Sequence, residues 1–223
     1  MQSLIKRKYL FFVYFLIFLI FTLVVKFVDV QEIGPECSVV GLATINNFFR
    51  MFLGLHLFWY HLTDWMGLIP VFLSIFFGFC GLLQFIKRRS LIKVDKIFIK
   101  LGFFYILLIL VYLLFEKMII NFRPVILGSS LEASYPSSHT MISLCIFETG
   151  LIVINQYIKN QKLYKIIKGI FRFFEITIVL GRIFSGVHWF TDIIGGVLLS
   201  ICLIEGFYNV MNISFEKNPK SKN

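Results

Sequence analysis

Tyr9-Leu10-Phe11-Phe12-Val13-Tyr14-Phe15-Leu16-Ile17-Phe18-Leu19-Ile20-Phe21-Thr22-Leu23-Val24-Val25 runs for seventeen residues without a charge, with Lys6-Arg7-Lys8 before it and Lys26 after it. A hydrocarbon core about 30 Å thick takes roughly 20 helical residues to cross, and slightly shorter stretches suffice when flanking residues reach the headgroups. The run therefore reads as a membrane span. No small-residue cleavage pattern follows Val25, so it is expected to be a retained anchor rather than a removed signal. Working outward, 65–86, 97–115, 139–158 and 190–210 qualify in the same way, with 169–185 as a shorter sixth. With 223 residues, 58% hydrophobic content and 28 Phe, the chain is far more apolar than a soluble domain of ordinary usage. The expected fold is all-α, a polytopic membrane protein built as a six-transmembrane-helix bundle.

The longest piece between spans has a helical pattern over 41–60. Asn46, Asn47, Arg50, Gly54 and His61 fall on one stripe, while Leu42, Ile45, Phe49, Phe52, Leu53 and Leu57 occupy the rest. Two Asn and an Arg are costly in lipid, so an additional interfacial helix is expected there rather than a further crossing. Trp59, Tyr60 and Trp65 fit an aromatic belt at the membrane surface. No repeat or long polar linker divides the chain. It reads as one domain over 1–214, followed by a short cytoplasmic tail over 215–223.

Six crossings put both termini on one side. Seventeen of the 22 Lys and Arg then share that side, in the N-terminus, in 87–100, in 159–172 and in the tail. Cytoplasmic loops are enriched in these residues, so the termini are expected in the cytoplasm. The net charge of +10 is mostly this loop charge, which suits a lipid bilayer as partner. No basic stripe interleaves with exposed aromatics, and nucleic-acid binding is not expected. Cys37, Cys80, Cys145 and Cys202 are scattered and indicate neither a disulfide frame nor a metal cluster.

The residues that carry chemistry sit on the side poor in charge. In Gly181-Arg182-Ile183-Phe184-Ser185-Gly186-Val187-His188-Trp189-Phe190-Thr191-Asp192, Asp192 lies one helical turn after His188. If that segment is helical, the carboxylate accepts a hydrogen bond from one imidazole nitrogen and leaves the other free to attack. A second histidine follows in Tyr135-Pro136-Ser137-Ser138-His139, and Lys117 precedes Arg123-Pro124. Ser137 and Ser138 after a Pro signal a helix start, where a hydroxyl caps free amides and the amides suit a phosphate. Two histidines, a carboxylate and three cations point to phosphoryl transfer. A zinc site of His139, His188 and Asp192 is disfavoured because the adjacent arginines repel a cation, so no metal and no cofactor is expected.

These blocks resemble the type-2 phosphatidate phosphatase (PAP2) superfamily, whose membrane members carry KxxxxxxRP, PSGH and SRxxxxxHxxxD on a six-helix core. The third block is matched by Arg182, His188 and Asp192 at the family spacing, with Gly181 in place of Ser. The second is matched by Pro136 to His139, with Ser138 in place of Gly. In the first, Arg123-Pro124 is present, but Lys117 lies six residues before Arg123 where the family spacing is seven, and Glu116 occupies the family position. The resemblance implies that His188 forms a phosphohistidine and that Asp192 orients it. It further implies that His139 serves as acid and base, and that Arg123, Arg182, Lys117, Ser137 and Ser138 bind phosphate. The implied protein is a lipid phosphatase of a bacterial plasma membrane with an extracytoplasmic site and a lipid phosphate as substrate. A lipid phosphotransferase of the same fold and a non-catalytic lipid-binding or transport protein stay open. Oligomeric state is not readable from the sequence.

Overall fold

The computed structural model describes residues 2–211, with side chains from Arg7 onward. Within them run seven α-helices: α1 (Gln2–Phe27), α2 (Ala43–Leu53), α3 (Leu57–Arg88), α4 (Lys96–Met118), α5 (Ser138–Tyr157), α6 (Gln161–Ser185) and α7 (Phe190–Met211). Extended pairing among the described residues is limited to two isolated bridges, Gln31 with Val40 and Phe122 with Ala133. The fold is all-α, as expected. The expected tail at 215–223 lies outside the described residues.

Five helices, α1, α3, α4, α5 and α7, are long and apolar enough to cross a membrane. Large side chains on α1, α3 and α4, among them Phe12, Ile20, Phe72, Phe79, Phe103 and Leu110, are exposed. Facing lipid, such a surface needs no protein partner. α5 is the enclosed helix, with Cys145, Phe147, Thr149 and Gly150 buried among α3, α6 and α7. α6 differs from the expectation of a short span over 169–185. It starts earlier because Asn160 caps it, accepting from the Lys162 and Leu163 amides at 3.0 and 3.2 Å. Most of the basic segment 159–172 is therefore helix rather than loop. At 25 residues α6 reaches about 37 Å, but Lys162, Lys165, Lys168, Arg172, Glu175 and Arg182 make it too charged to qualify by apolarity. Apolarity alone supports five crossings.

Contacts between distant segments define the two ends of the bundle. At one, Arg7 pairs with Glu205 at 3.0 Å, Lys100 donates to the Val210 carbonyl at 2.7 Å, and Tyr157 donates to Asp95 at 2.5 Å. At the other, the Thr22 and Tyr135 hydroxyls meet at 2.7 Å, the Gly41 amide donates to Asn121 at 3.2 Å, and the His56 amide donates to the Ser185 carbonyl at 3.1 Å. Both histidine-bearing turns belong to this second end. Deeper in the bundle Glu148 and Glu175 share Arg172, so these intramembrane carboxylates are ion-paired. An apolar groove of about 660 Å³ between α1, α4 and α7 opens at the Lys8 and Lys100 end, away from the histidines.

The expected helix over 41–60 is two helices. Gly54 breaks it with φ +70° and ψ −160°, a conformation essentially restricted to glycine, while its amide closes on the Arg50 carbonyl at 2.9 Å. Trp59, Tyr60 and His61 consequently open α3. Part of the polar stripe of α2 also faces inward rather than toward water: Asn46 is buried and Arg50 half-buried, while Asn47 is exposed. Asn46 donates to the Gly41 carbonyl and the Thr191 hydroxyl at 2.9 Å each, and accepts from the Thr191 amide at 3.1 Å. Phe48, Met51 and Phe52 point outward. A helix with its polar face on protein and its apolar face outward is suited to the membrane interface.

Candidate active site

Four chain segments meet at the histidine end. α6 stops at Gly186, whose left-handed φ of +68° caps it, so 186–189 is a loop and His188 stands just before α7. The segment from α4 to α5 folds back on itself: the Arg123 amide donates to the Glu132 carbonyl at 3.0 Å and the Ser134 amide to the Asn121 carbonyl at 2.9 Å. The Trp189 indole pins this fold from the α7 side, donating to the Phe122 carbonyl at 2.7 Å. Arg123, Ser134 and His188 are held together by these main-chain links.

His188 and Asp192 do not bond directly as the sequence suggested. His188 precedes the helix, and Asp192 Oδ2 accepts the Trp189 amide at 2.9 Å, which leaves it 4.0 Å from His188 Nδ1. Ser134 fills the gap. Its hydroxyl donates to Asp192 Oδ2 at 2.5 Å and stands 3.0 Å from His188 Nδ1. An oxygen that has given its proton to the carboxylate can only accept from the imidazole, so Nδ1 carries the hydrogen and Nε2 keeps its lone pair. Asn121 completes the set around Asp192, donating to Oδ1 at 3.3 Å. His188 Nε2 is buried and has no hydrogen-bond partner among the described residues. Burial first, then the positive fields of Arg123, Arg182 and His139, hold this imidazole well below its usual range, so it is neutral at pH 7.

His139 opens α5, with Nε2 3.0 Å from Asp64 Oδ1 and Nδ1 buried without a hydrogen-bond partner among the described residues. Arg182 is fully buried. Its Nη2 donates to the same Asp64 oxygen at 3.1 Å, and Nε and Nη1 have no hydrogen-bond partner among the described residues. Arg123 Nε lies 3.1 Å from Glu132 Oε2, a charge contact whose geometry falls short of a hydrogen bond. Buried guanidinium N–H groups together with two imidazole nitrogens that lack partners among the described residues are chemically suited to a tetrahedral oxyanion.

Two expected phosphate contacts differ in the structure. Lys117 is exposed in the last turn of α4, which stays α-helical to Met118, so no bulge absorbs the one-residue slip. Glu116 lines the small cavity beside Ser134, Ser138 and His188 instead. Ser137 sits at the N-cap of α5, but its hydroxyl accepts from Thr140 at 3.1 Å rather than from helix amides, and its own amide donates to the Asp192 carbonyl at 2.9 Å. Its part is to lock α5 to α7. Gly181 replaces the family Ser for a steric reason: a Cβ there would lie 2.4 Å from the Thr63 methyl carbon where α3 crosses α6. Ser134, Asn121 and Asp64 were not identified from sequence. The signal available for Asp64 was its place at the head of a span, where a carboxylate needs a partner.

Comparison with known proteins gives a consistent picture. The PAP2 superfamily model matches residues 101–216. Phosphatidylglycerophosphatase B of Bacillus subtilis (strain 168) is 29% identical over 99 residues, covering 41% of this chain and 46% of that protein, so the match spans less than half of the relative. The crystal structure of a transmembrane PAP2 type phosphatidylglycerolphosphate phosphatase from Bacillus subtilis aligns with 97% of this chain and 100% of its own, at a TM-score of 0.61 and 17% identity. That likeness concerns the fold.

Proposed function

The chain belongs to the PAP2 superfamily, and from that premise we propose that it is a membrane phosphatase that hydrolyses a lipid phosphate or lipid pyrophosphate through a phosphohistidine. One observation carries the reading: His188 presents a neutral, buried, unpartnered Nε2 while its Nδ1 is tied through Ser134 to Asp192. A nucleophile needs this arrangement, with one nitrogen oriented and the other free. His188 Nε2 attacks phosphorus and the ester P–O bond breaks. His139 gives the leaving alkoxide its proton. Water then attacks, giving a proton back to His139 as the N–P bond breaks, and inorganic phosphate leaves. Arg123 and Arg182 hold the phosphoryl oxygens as charge spreads over them.

The distribution of Lys and Arg supports an extracytoplasmic site, reached sideways by a lipid whose tail stays in the bilayer. Among phosphatidate, phosphatidylglycerophosphate and undecaprenyl pyrophosphate, the named relative makes phosphatidylglycerophosphate the first substrate to try. The test is phosphate release from these three lipids by the purified protein, with His188→Ala and His139→Ala alongside. Turnover is expected in the parent and lost in His188→Ala, with an acid-labile phosphoprotein formed only when His188 is present. Equal turnover by all three proteins would end the proposal. Phosphate appearing on an added alcohol instead of in solution would identify a transferase.

A further inference from the structure

The matched family segment begins at residue 101, yet part of the site wall comes from before it. On α3, Tyr60, Thr63, Asp64 and Gly67 recur at intervals of three and four and so share one face. Each of them touches the site or the helices that carry it. The Tyr60 ring lies 5.4 Å from the Arg182 guanidinium carbon. Thr63 fills the space in front of Gly181, and a Cβ on Gly67 would meet His139 Cδ2 at 3.1 Å, so the imidazole packs close against α3. Asp64 Oδ1 stands 3.0 Å from His139 Nε2 and 3.1 Å from Arg182 Nη2.

We infer that Asp64 is a positioning residue for His139, retaining the proton on Nε2 so that Nδ1 is the nitrogen that exchanges a proton with the leaving ester oxygen. This rests on the reading of His139 as acid and base. A neutral imidazole has one N–H, and a carboxylate acceptor decides which nitrogen carries it. Nδ1 is then the free nitrogen, and it is the one buried without a partner. Arg182 fixes the carboxylate from behind. Because only Nη2 is used for Asp64, Nε and Nη1 stay available to a phosphate, so the guanidinium can hold both anions by different edges.

The proton balance closes without any change at Asp64. In the imidazolium form His139 releases the Nδ1 proton to the alkoxide while the His188–phosphorus bond forms and the ester bond breaks. The ring keeps its Nε2–H on Asp64 throughout. In the second step Nδ1 takes a proton from the attacking water as the phosphorus–nitrogen bond breaks.

The experiment compares kcat/KM for a long-chain lipid phosphate and for p-nitrophenyl phosphate in the full chain, Asp64→Asn, His139→Ala and the double variant. This parameter reports steps through leaving-group departure, where an alkoxide needs a proton and nitrophenolate does not. Asp64→Asn is expected to lose about tenfold or more on the lipid beyond whatever it loses on the aryl ester, with the thermal unfolding midpoint of the same samples as the folding control. The double variant is expected to be no worse than His139→Ala. Equal losses on both substrates, no loss on either, or a raised KM with kcat retained would each overturn the inference. If Asp64→Asn does not fold, Asp64→Glu keeps the charge facing Arg182 but moves the oxygen. A lowered lipid-to-aryl ratio then supports the inference, and an unchanged ratio overturns it. Equal inactivity of the parent and His188→Ala on both substrates would instead defeat the phosphatase reading.

Discussion

Replacing Ser134 with Ala removes one oxygen that carries two links, 3.0 Å to His188 Nδ1 and 2.5 Å to Asp192 Oδ2. Asp192 Oδ2, the carboxylate oxygen behind the hydroxyl, stands 4.0 Å from the imidazole N–H nitrogen, beyond hydrogen-bond reach. Both partners are buried, His188 at 6% exposure and Asp192 at 0%, so water does not readily replace the hydroxyl. A buried donor left without its acceptor costs about 1–3 kcal/mol. The cost grows as phosphorylation puts positive charge on the imidazole, because the missing link is then charge-assisted. If the whole cost falls on the transition state, kcat/KM drops roughly 5- to 150-fold. The assay is initial-rate phosphate release in detergent, with thermal unfolding of the same samples. Ser134→Thr, which keeps the hydroxyl, should stay within about threefold of the parent. Ser134→Ala with parental rates and an unshifted unfolding midpoint would refute the bridging role and imply that imidazole and carboxylate close directly.

Other expectations are more compact. Lys117→Ala should leave kcat/KM within about twofold, whereas Arg182→Lys should lose about tenfold or more because the planar fork and its Asp64 link are lost together; a large loss at Lys117 would contradict its outward placement. Phosphate release should persist in excess chelator, since arginines rather than a metal ion balance the phosphoryl charge, and abolished activity restored by a divalent ion would contradict this. Stability should fall on acidification: folded His188 resists protonation, while the unfolded chain takes up that proton below about pH 6.5, at up to about 1.4 kcal/mol per pH unit. Unfolding midpoints followed from about pH 7.5 to about pH 5 should therefore decline, with a shallower slope in His188→Gln, and identical slopes would count against a buried neutral imidazole.

Hydrophobic runs and motif spacing made much of the molecule legible in advance. The charge-free stretch at 9–25 needs no tertiary information to read as a span, and Arg182, His188 and Asp192 lie close enough in the chain to be read as one block, although a loop over 186–189 and not a continuous helix connects them. Ser134 lies 54 residues from His188, and Asp64 lies 118 from Arg182, so no periodicity links either pair. A lone Ser in a short loop has many ordinary uses. The stripe on α2 was visible but its direction was not, because an amphipathic pattern alone does not say which face meets protein when the other face meets lipid. Asn46 resolves that through its two bonds to Thr191.

That same amide ties chemistry to the leaflet. Asn46 grips the residue next to Asp192, while Phe48 and Phe52 on the opposite face are left for acyl chains to support. A micelle too small or too curved to seat those rings would tug α2 outward and tilt the start of α7 before the bundle itself came apart. Turnover would then fade ahead of helicity as detergent is varied, and the surrounding lipid would be in effect a wall of the catalytic chamber.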